Sequence, residues 1–139
     1  MISLIEITNS ENHISETYRL LKLRTLTISH KHQPTLKEHK KFVINHPYRF
    51  WFLVKESDEF IGSVYLKHDN SIGLNITDNF RYLTKEVLQK VVESFEPLPP
   101  SKSMRNSHFI VNVALEDISL ANTIKEFGGL EIQRTFLLP

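Results

Sequence analysis

The stretch FIGSVYLKHDNSIGLNITDNFRYL, residues 60–83, constrains the fold of this chain more than any other. It holds two short apolar strands, Phe60 to Lys67 and Ser71 to Ile76, joined by a tight Asp69-Asn70 turn. Asp and Asn suit such a turn because their side chains bond nearby backbone and tolerate left-handed conformation. A polar loop follows and leads straight into a helical pattern at about Thr84. Upstream, Arg49 to Lys55 (RFWFLVK) is rich in aromatic and β-branched residues and is too short for a helix. It reads as a strand buried on both faces at its centre. Three strands at short spacing therefore make an antiparallel meander that feeds a helix.

The flanking segments supply the other elements. Ile2 to Ile7 reads as a first strand. Ser10 caps a helix to about Thr25, with Ile14, Tyr18 and Leu21 at helical spacing. Thr35-Leu36-Lys37-Glu38 has the form of a capping box, preceded by Pro34. The helix it opens is predicted to bury Leu36, Phe42 and Val43 and to end at His46-Pro47. Thr84 is predicted to cap the next helix, whose stripe is Val87, Leu88, Val91, Val92 and Phe95. Glu96-Pro97-Leu98-Pro99-Pro100 stops it and begins a long surface loop to about Ser107. Phe109 to Leu115 (FIVNVAL) reads as a strand. Asp117 or Ser119 caps a last helix with Leu120, Ile124 and Phe127 in register, and Gly128 and Gly129 end it. Leu130 to Leu138 is predicted to close the sheet. The order is β-α-α-β-β-β-α-β-α-β.

Bulk properties narrow the function. At 139 residues the chain is predicted to be one domain, residues 1–139. The absence of cysteine excludes disulfides, thiolate metal sites and a cysteine nucleophile. No window approaches the roughly 18 apolar residues of a membrane span, and MISLIEITNSENH lacks the form of a signal peptide. A cytoplasmic location without a membrane partner is expected. A net charge of +1 is too balanced for nucleic-acid binding through a basic face. His30, His32, His39 and His46 match no zinc-ligand spacing, so no metal is expected.

The element order resembles that of the GNAT family of N-acetyltransferases over nearly the whole chain. The ending VALEDISLANTIKEFGGLEIQRTF is similar to the family's, with Asp117, Glu126 and Gly128 at comparable positions. HPYRFWFLV, IGSVYL and this ending look closest to small members associated with bacterial nucleotide-sugar and surface-polysaccharide pathways. The resemblance implies an α/β GNAT fold. Its mixed sheet would join an antiparallel meander to a parallel pair of strands that splay apart, flanked by about four helices. The implied activity is transfer of an acetyl group from acetyl-CoA to a primary amine of a small molecule. A nucleotide-linked amino sugar is the favoured acceptor. Direct attack in a ternary complex fits the lack of a cysteine nucleophile.

The resemblance also places the coenzyme. Backbone groups of Leu74, Asn75 and Ile76 would run along the pantetheine arm. The pyrophosphate would meet the Arg81 side chain and the amides of Tyr82, Leu83, Thr84, Lys85 and Glu86 at a helix start, which favours anions in any case. The family's loop usually reads Gln/Arg-x-x-Gly-x-Gly/Ala. Here Arg81 matches its first position, and Thr84 and Glu86 stand where the glycines would be. Asn122 in the last helix and Asn112 in FIVNVAL are polar candidates at the splay. A buried strand asparagine needs partners, so Asn112 reads equally as a structural hydrogen bond or a ligand contact. Glu116 and His108, at the two ends of that strand, are candidates for the general base. Arg24, His30 and His32 are candidates for binding the acceptor. A second reading is a GNAT-fold binding or assembly module without catalysis, in which the open edge of LEIQRTFLLP pairs with a second copy.

Overall fold

The computed structural model describes residues 1–24 and 33–139. His30 and His32 lie outside the described residues. Five strands form one sheet in sequence order: β1 (Ile2–Glu6), β2 (Phe50–Glu56), β3 (Glu59–Leu66), β4 (Ser71–Ile76) and β5 (Ile110–Val111). β1 to β4 pair antiparallel, and β4 pairs with β5 in parallel. Helices α1 (Glu11–Leu23) and α2 (Leu36–Asn45) cover one face. Helix α3 (Thr84–Ser94) covers the other, with α4 (Ile118–Phe127) beside it.

Strand alternation divides the core in two. Phe52 and Val54 of β2 join Ile61, Val64, Leu66, Val87 and Val91 on the α3 side. Trp51 and Leu53 join Ile14, Leu20 and Val43 on the α1 and α2 side. All four β2 residues are buried, as the sequence predicts. The helix caps are also where the sequence puts them. Ser10 Oγ accepts from the His13 amide, and Thr35 and Glu38 satisfy each other's backbone in a capping box. Asp117 caps α4, and Gly128, at φ 109°, ends it.

The turn between β3 and β4 does more than reverse the chain. Asn70 is fully buried and left-handed, with φ 70°. Its Nδ2 donates to the carbonyls of Leu98 (2.9 Å) and Asn106 (2.8 Å), and its Oδ1 accepts from the Leu98 amide (2.8 Å). Its own carbonyl accepts from the Ile110 amide at 3.0 Å. One turn residue thus holds the proline-rich loop and the start of β5.

At Gly62 the sheet has no room for a side chain. A Cβ there would stand 2.5 Å from the Asn75 carbonyl oxygen and 2.7 Å from Ile76 Cδ1. The first obstacle is main chain of the paired strand β4, which cannot rotate away. Gly62→Ala is expected to cost about 2 kcal/mol, read from denaturant melts, because overpacking at a rigid contact forces strand displacement. A loss below about 0.5 kcal/mol would show that β4 shifts freely.

Helices α1 and α2 meet at a buried polar contact. Thr17 Oγ1 donates to the His13 carbonyl at 2.8 Å and lies 2.7 Å from His39 Nε2, which therefore donates to it. Burial lowers the His39 pKa from its usual 6.5, and a backbone hydrogen bond at Ile14 opposes that shift. The unfolded chain then takes up this proton first as pH falls. The stability from neutral His39 is present above about pH 6.5 and is lost as pH drops through the lower folded value. Urea midpoints are expected to fall between about pH 7.5 and pH 5.5, with a smaller fall in His39→Gln. Equal pH slopes in the two proteins would assign the effect elsewhere.

Four expectations are corrected. The inward residues of α2 are His39 and Val43, whereas Leu36 and Phe42 are exposed. Leu36 is the first residue of the helix, and Phe42 turns aside to the rings of Tyr48 and Trp51. The chain becomes helical before Thr84, as a 3₁₀ turn over Asp78–Leu83 that runs directly into α3. Leu83 is the cap of α3, and Thr84 Oγ1 donates back to the Arg81 carbonyl at 2.7 Å. Strand β5 is only Ile110–Val111, because its pairing with β4 ends there, and Asn112 is exposed rather than buried. Leu130 to Leu138 forms no strand, and all of it is exposed.

Candidate active site

The parallel pair β4 and β5 diverges almost at once. Ser71 pairs with Ile110 and Ile72 with Val111, and β4 then continues to Ile76 without a partner on that side among the described residues. A shallow cleft opens beyond the paired residues, with about 50 Å³ of solvent-sized space. Leu74, Asn75, Ile76 and Thr77 form one wall. Asp78 and Arg81 of the 3₁₀ turn, with Thr84 of α3, close one end. Asp117 and Leu120 at the start of α4, and Leu23 and Arg24 at the end of α1, complete it.

Five of the residues predicted to hold coenzyme therefore meet at one place: Leu74, Asn75, Ile76, Arg81 and Thr84. Arg24, predicted on the acceptor side, borders the same cleft. The side chain of Asn75 donates to the Leu20 carbonyl at 3.3 Å and fastens β4 to α1. The remaining predicted residues lie outside the lining. Leu83 is in the core, Tyr82 is 76% exposed, and Lys85 approaches Glu126 at 3.6 Å across α3 and α4. Asn112, Glu116 and Asn122 are exposed around β5 and α4, and His108 is an exposed neighbour of Ser107 before β5.

The electrostatics of the cleft centre on a pair the sequence does not announce. Arg81 Nη2 donates to both carboxylate oxygens of Asp117, at 2.7 and 2.8 Å. Asp117 also accepts from the Leu120 amide, so one carboxylate caps α4 and anchors the arginine. The pair ties the 3₁₀ turn to α4 across the opening. Asp117 is legible in the sequence only as a cap, since its partner stands 36 residues away. The 3₁₀ turn also engages amides expected to be free, with the Thr84 amide donating to the Arg81 carbonyl.

Behind the β4 wall, the Tyr65 ring lies on Gly73, where an added Cβ would collide with the ring. Tyr65 stacks on Tyr48 with ring centres 4.0 Å apart. Burial pushes both phenols above their usual range, so both are neutral at physiological pH. The signal in the sequence is a glycine inside a strand, which marks a close approach.

No protein-family model and no curated protein matches this sequence. Solved structures do match its shape. The aminoglycoside antibiotic 6′-N-acetyltransferase AAC(6′)-Ih from Acinetobacter baumannii aligns with a TM-score of 0.60 and 14% identity, covering 100% of this chain and 97% of that one. AAC(6′)-Iy, in complex with the bisubstrate analog CoA-S-monomethyl-acetylneamine, aligns at 0.62 and 14%, with the same coverage. An aminoglycoside acetyltransferase from an uncultured soil metagenomic sample, in complex with sisomicin, aligns at 0.63 and 11%, covering 99% and 95%. At these identities the likeness is one of fold. The meander, the parallel pair that diverges and the four flanking helices give this chain the GNAT acetyltransferase fold.

Proposed function

We propose that this chain is an acetyl-CoA-dependent N-acetyltransferase acting on a primary amine of a small molecule, with residues 1–139 working as one domain. The observation that carries this reading is the divergence of β4 and β5 above a cleft where α1, the 3₁₀ turn, α3 and α4 converge. Backbone of Leu74, Asn75 and Ile76 has no neighbouring strand on the β5 side among the described residues. Such an edge suits pairing with an amide-bearing arm such as pantetheine. Arg81 and Thr84 stand where that arm's phosphates would end. Asp117 engages Arg81 through one nitrogen, and a guanidinium has further N–H groups to offer a diphosphate.

In this reading a neutral amine attacks the thioester carbonyl, whose oxygen is polarised by a main-chain amide of the β4 wall. The C–S bond breaks and coenzyme A leaves as a thiolate, which at a thiol pKa of ~8.5 needs little help. The amine proton passes to solvent, with His108 or Glu116 as relay. Arg24, His30 and His32 serve the acceptor. A nucleotide-linked amino sugar remains the favoured acceptor. The fold neighbours named as aminoglycoside acetyltransferases support an amino-sugar amine as the class.

Calorimetric titration with acetyl-CoA tests the reading. Saturable binding in the micromolar range is expected, and no heat at millimolar ligand would sink it. Arg81→Ala is expected to weaken binding about tenfold, the size of a lost charge-assisted contact. Unchanged affinity would put the pyrophosphate elsewhere. The engagement of Arg81 by Asp117 favours a second reading, a non-catalytic module of the same fold, which the same titration separates from the first.

A further inference from the structure

Tyr48 and Tyr65 place two phenol hydroxyls where a core needs none. Their rings stack with centres 4.0 Å apart at an angle of 9°, and their hydroxyls are close enough to interact. Both side chains are half-buried. The sheet fixes the position of Tyr65. It pairs with Gly73 across β3 and β4, and its ring lies over that glycine because no side chain stands there to meet it. Ile72 is the last β4 residue paired with β5, so Gly73 is the first beyond the point where pairing stops. The phenols therefore stand at the mouth of the opening between the strands, one residue ahead of the cleft wall that begins at Leu74.

The charge around this pair is weighted to the positive. Burial raises the pKa of both phenols, and the Arg24 guanidinium opposes that rise in both, so it faces both hydroxyls. Arg24 is exposed, borders the cleft and pairs with no carboxylate among the described residues. Residues 25–32, which follow it, contain no Asp or Glu. Asp69 acts on Tyr65, but its Oδ1 already accepts from the Ser71 amide at 2.9 Å and the Ser71 hydroxyl at 2.6 Å. Asp78 and Asp117 stand at the other end of the cleft, and Asp117 is taken by Arg81.

We infer that Tyr48, Tyr65 and Arg24 form an anion-binding subsite for the acceptor, which is then an amine carrying a phosphate group and not a polycation. For the place of the amine this inference rests on the proposed reaction. There the pantetheine arm runs from Arg81 and Thr84 back along Ile76, Asn75 and Leu74, and its acyl end reaches Gly73, beneath the phenols. An amine attacking at that point has its remaining groups against the two hydroxyls and the guanidinium. Neutral phenols offer O–H donors, and a guanidinium offers several N–H donors together with its charge. Donors from three side chains suit a phosphate, which presents several oxygens. A second ammonium group in the same place would meet a cation of its own sign, which selects against an acceptor with many amines.

The only tryptophan of the chain reports on this subsite without coenzyme, since Trp51 packs edge-on against Tyr48 with ring centres 5.3 Å apart. Titration of the full chain with glucosamine 6-phosphate should change the Trp51 emission saturably, and glucosamine should require about tenfold more or higher. Sisomicin, a polycationic amine, should give no response at the same concentrations. Equal responses to glucosamine and its 6-phosphate, or none to either at millimolar ligand, overturn the inference. Tyr48→Phe and Tyr65→Phe keep the rings and remove one hydroxyl each, and Arg24→Gln removes the charge. Each should weaken glucosamine 6-phosphate about tenfold and leave glucosamine as it was, a split that a purely structural role would not produce. A phosphate preference that survives all three substitutions places the subsite elsewhere and overturns the inference. Acetyl-CoA calorimetry on the same protein keeps the two readings apart. Phosphate preference without coenzyme binding leaves the subsite standing and removes acyl transfer, and coenzyme binding without phosphate preference does the reverse.

Discussion

Asn70→Ala is expected to destabilise the protein by about 4 kcal/mol. Three contributions combine. The substitution removes both Nδ2 donations and the acceptor of the Leu98 amide, leaving partly buried backbone groups of the proline-rich loop without partners. Each such group costs about 1–3 kcal/mol, less where water can enter. Alanine must also hold a left-handed conformation, at φ 70°, for roughly 1–2 kcal/mol more. For a chain of this length the melting temperature should fall by roughly 15 °C. Asn70→Gly separates the contributions, because it keeps the backbone freedom and loses only the side-chain bonds. Asn70→Asp keeps the shape but cannot donate to the Leu98 and Asn106 carbonyls, so it should resemble Ala rather than the native protein. A loss below 1 kcal/mol in Asn70→Ala would mean that the loop is held by something else.

Asp117→Ala is expected to cost about 3 kcal/mol. The helix α4 loses its cap, worth about 1 kcal/mol, and Arg81 loses both carboxylate oxygens. Hydrogen bonds to charged groups contribute about 1.5–3 kcal/mol, and this pair is largely screened from water, with side-chain exposures of 25% and 10%. A double-mutant cycle with Arg81→Ala checks the assignment. Coupling near zero would show that the two side chains do not support each other in solution. Asp117→Asn keeps the cap acceptor and removes one negative charge from the cleft. It should therefore lose less stability and bind a diphosphate ligand no more weakly than the native chain.

What the sequence made legible is local. The capping box at Thr35 and Glu38, the stop at Gly128 and the alternation of Trp51, Phe52, Leu53 and Val54 each depend on neighbours within a few residues. The wall of the cleft, Leu74 to Ile76, was implied by the resemblance in element order, not by any local signal in those three residues. What stayed hidden depends on contacts distant in the chain. Nothing near Arg81 signals Asp117, and nothing near Asn112 signals that pairing with β4 stops at Val111 and leaves its side chain exposed. The 3₁₀ turn hid for a different reason. Asp78-Asn79-Phe80 has the composition of a loop, and its helical form comes from backbone bonds such as Phe80 to Thr77. The tail was misjudged because an alternating pattern establishes that a segment can be a strand without saying which sheet receives it.

The antiparallel register of β1 on β2 bears on the order in which the molecule assembles. Met1 and Glu56, which meet at 3.0 Å, are 55 residues apart, whereas β2, β3 and β4 are joined by tight reversals. Closing a loop of about fifty residues rather than one of two costs roughly 3 kcal/mol more in chain entropy. A nascent chain emerging amino end first cannot seat its first strand until the second has left the ribosome. The meander is the cheapest region to form, and β1 docks onto a sheet already made.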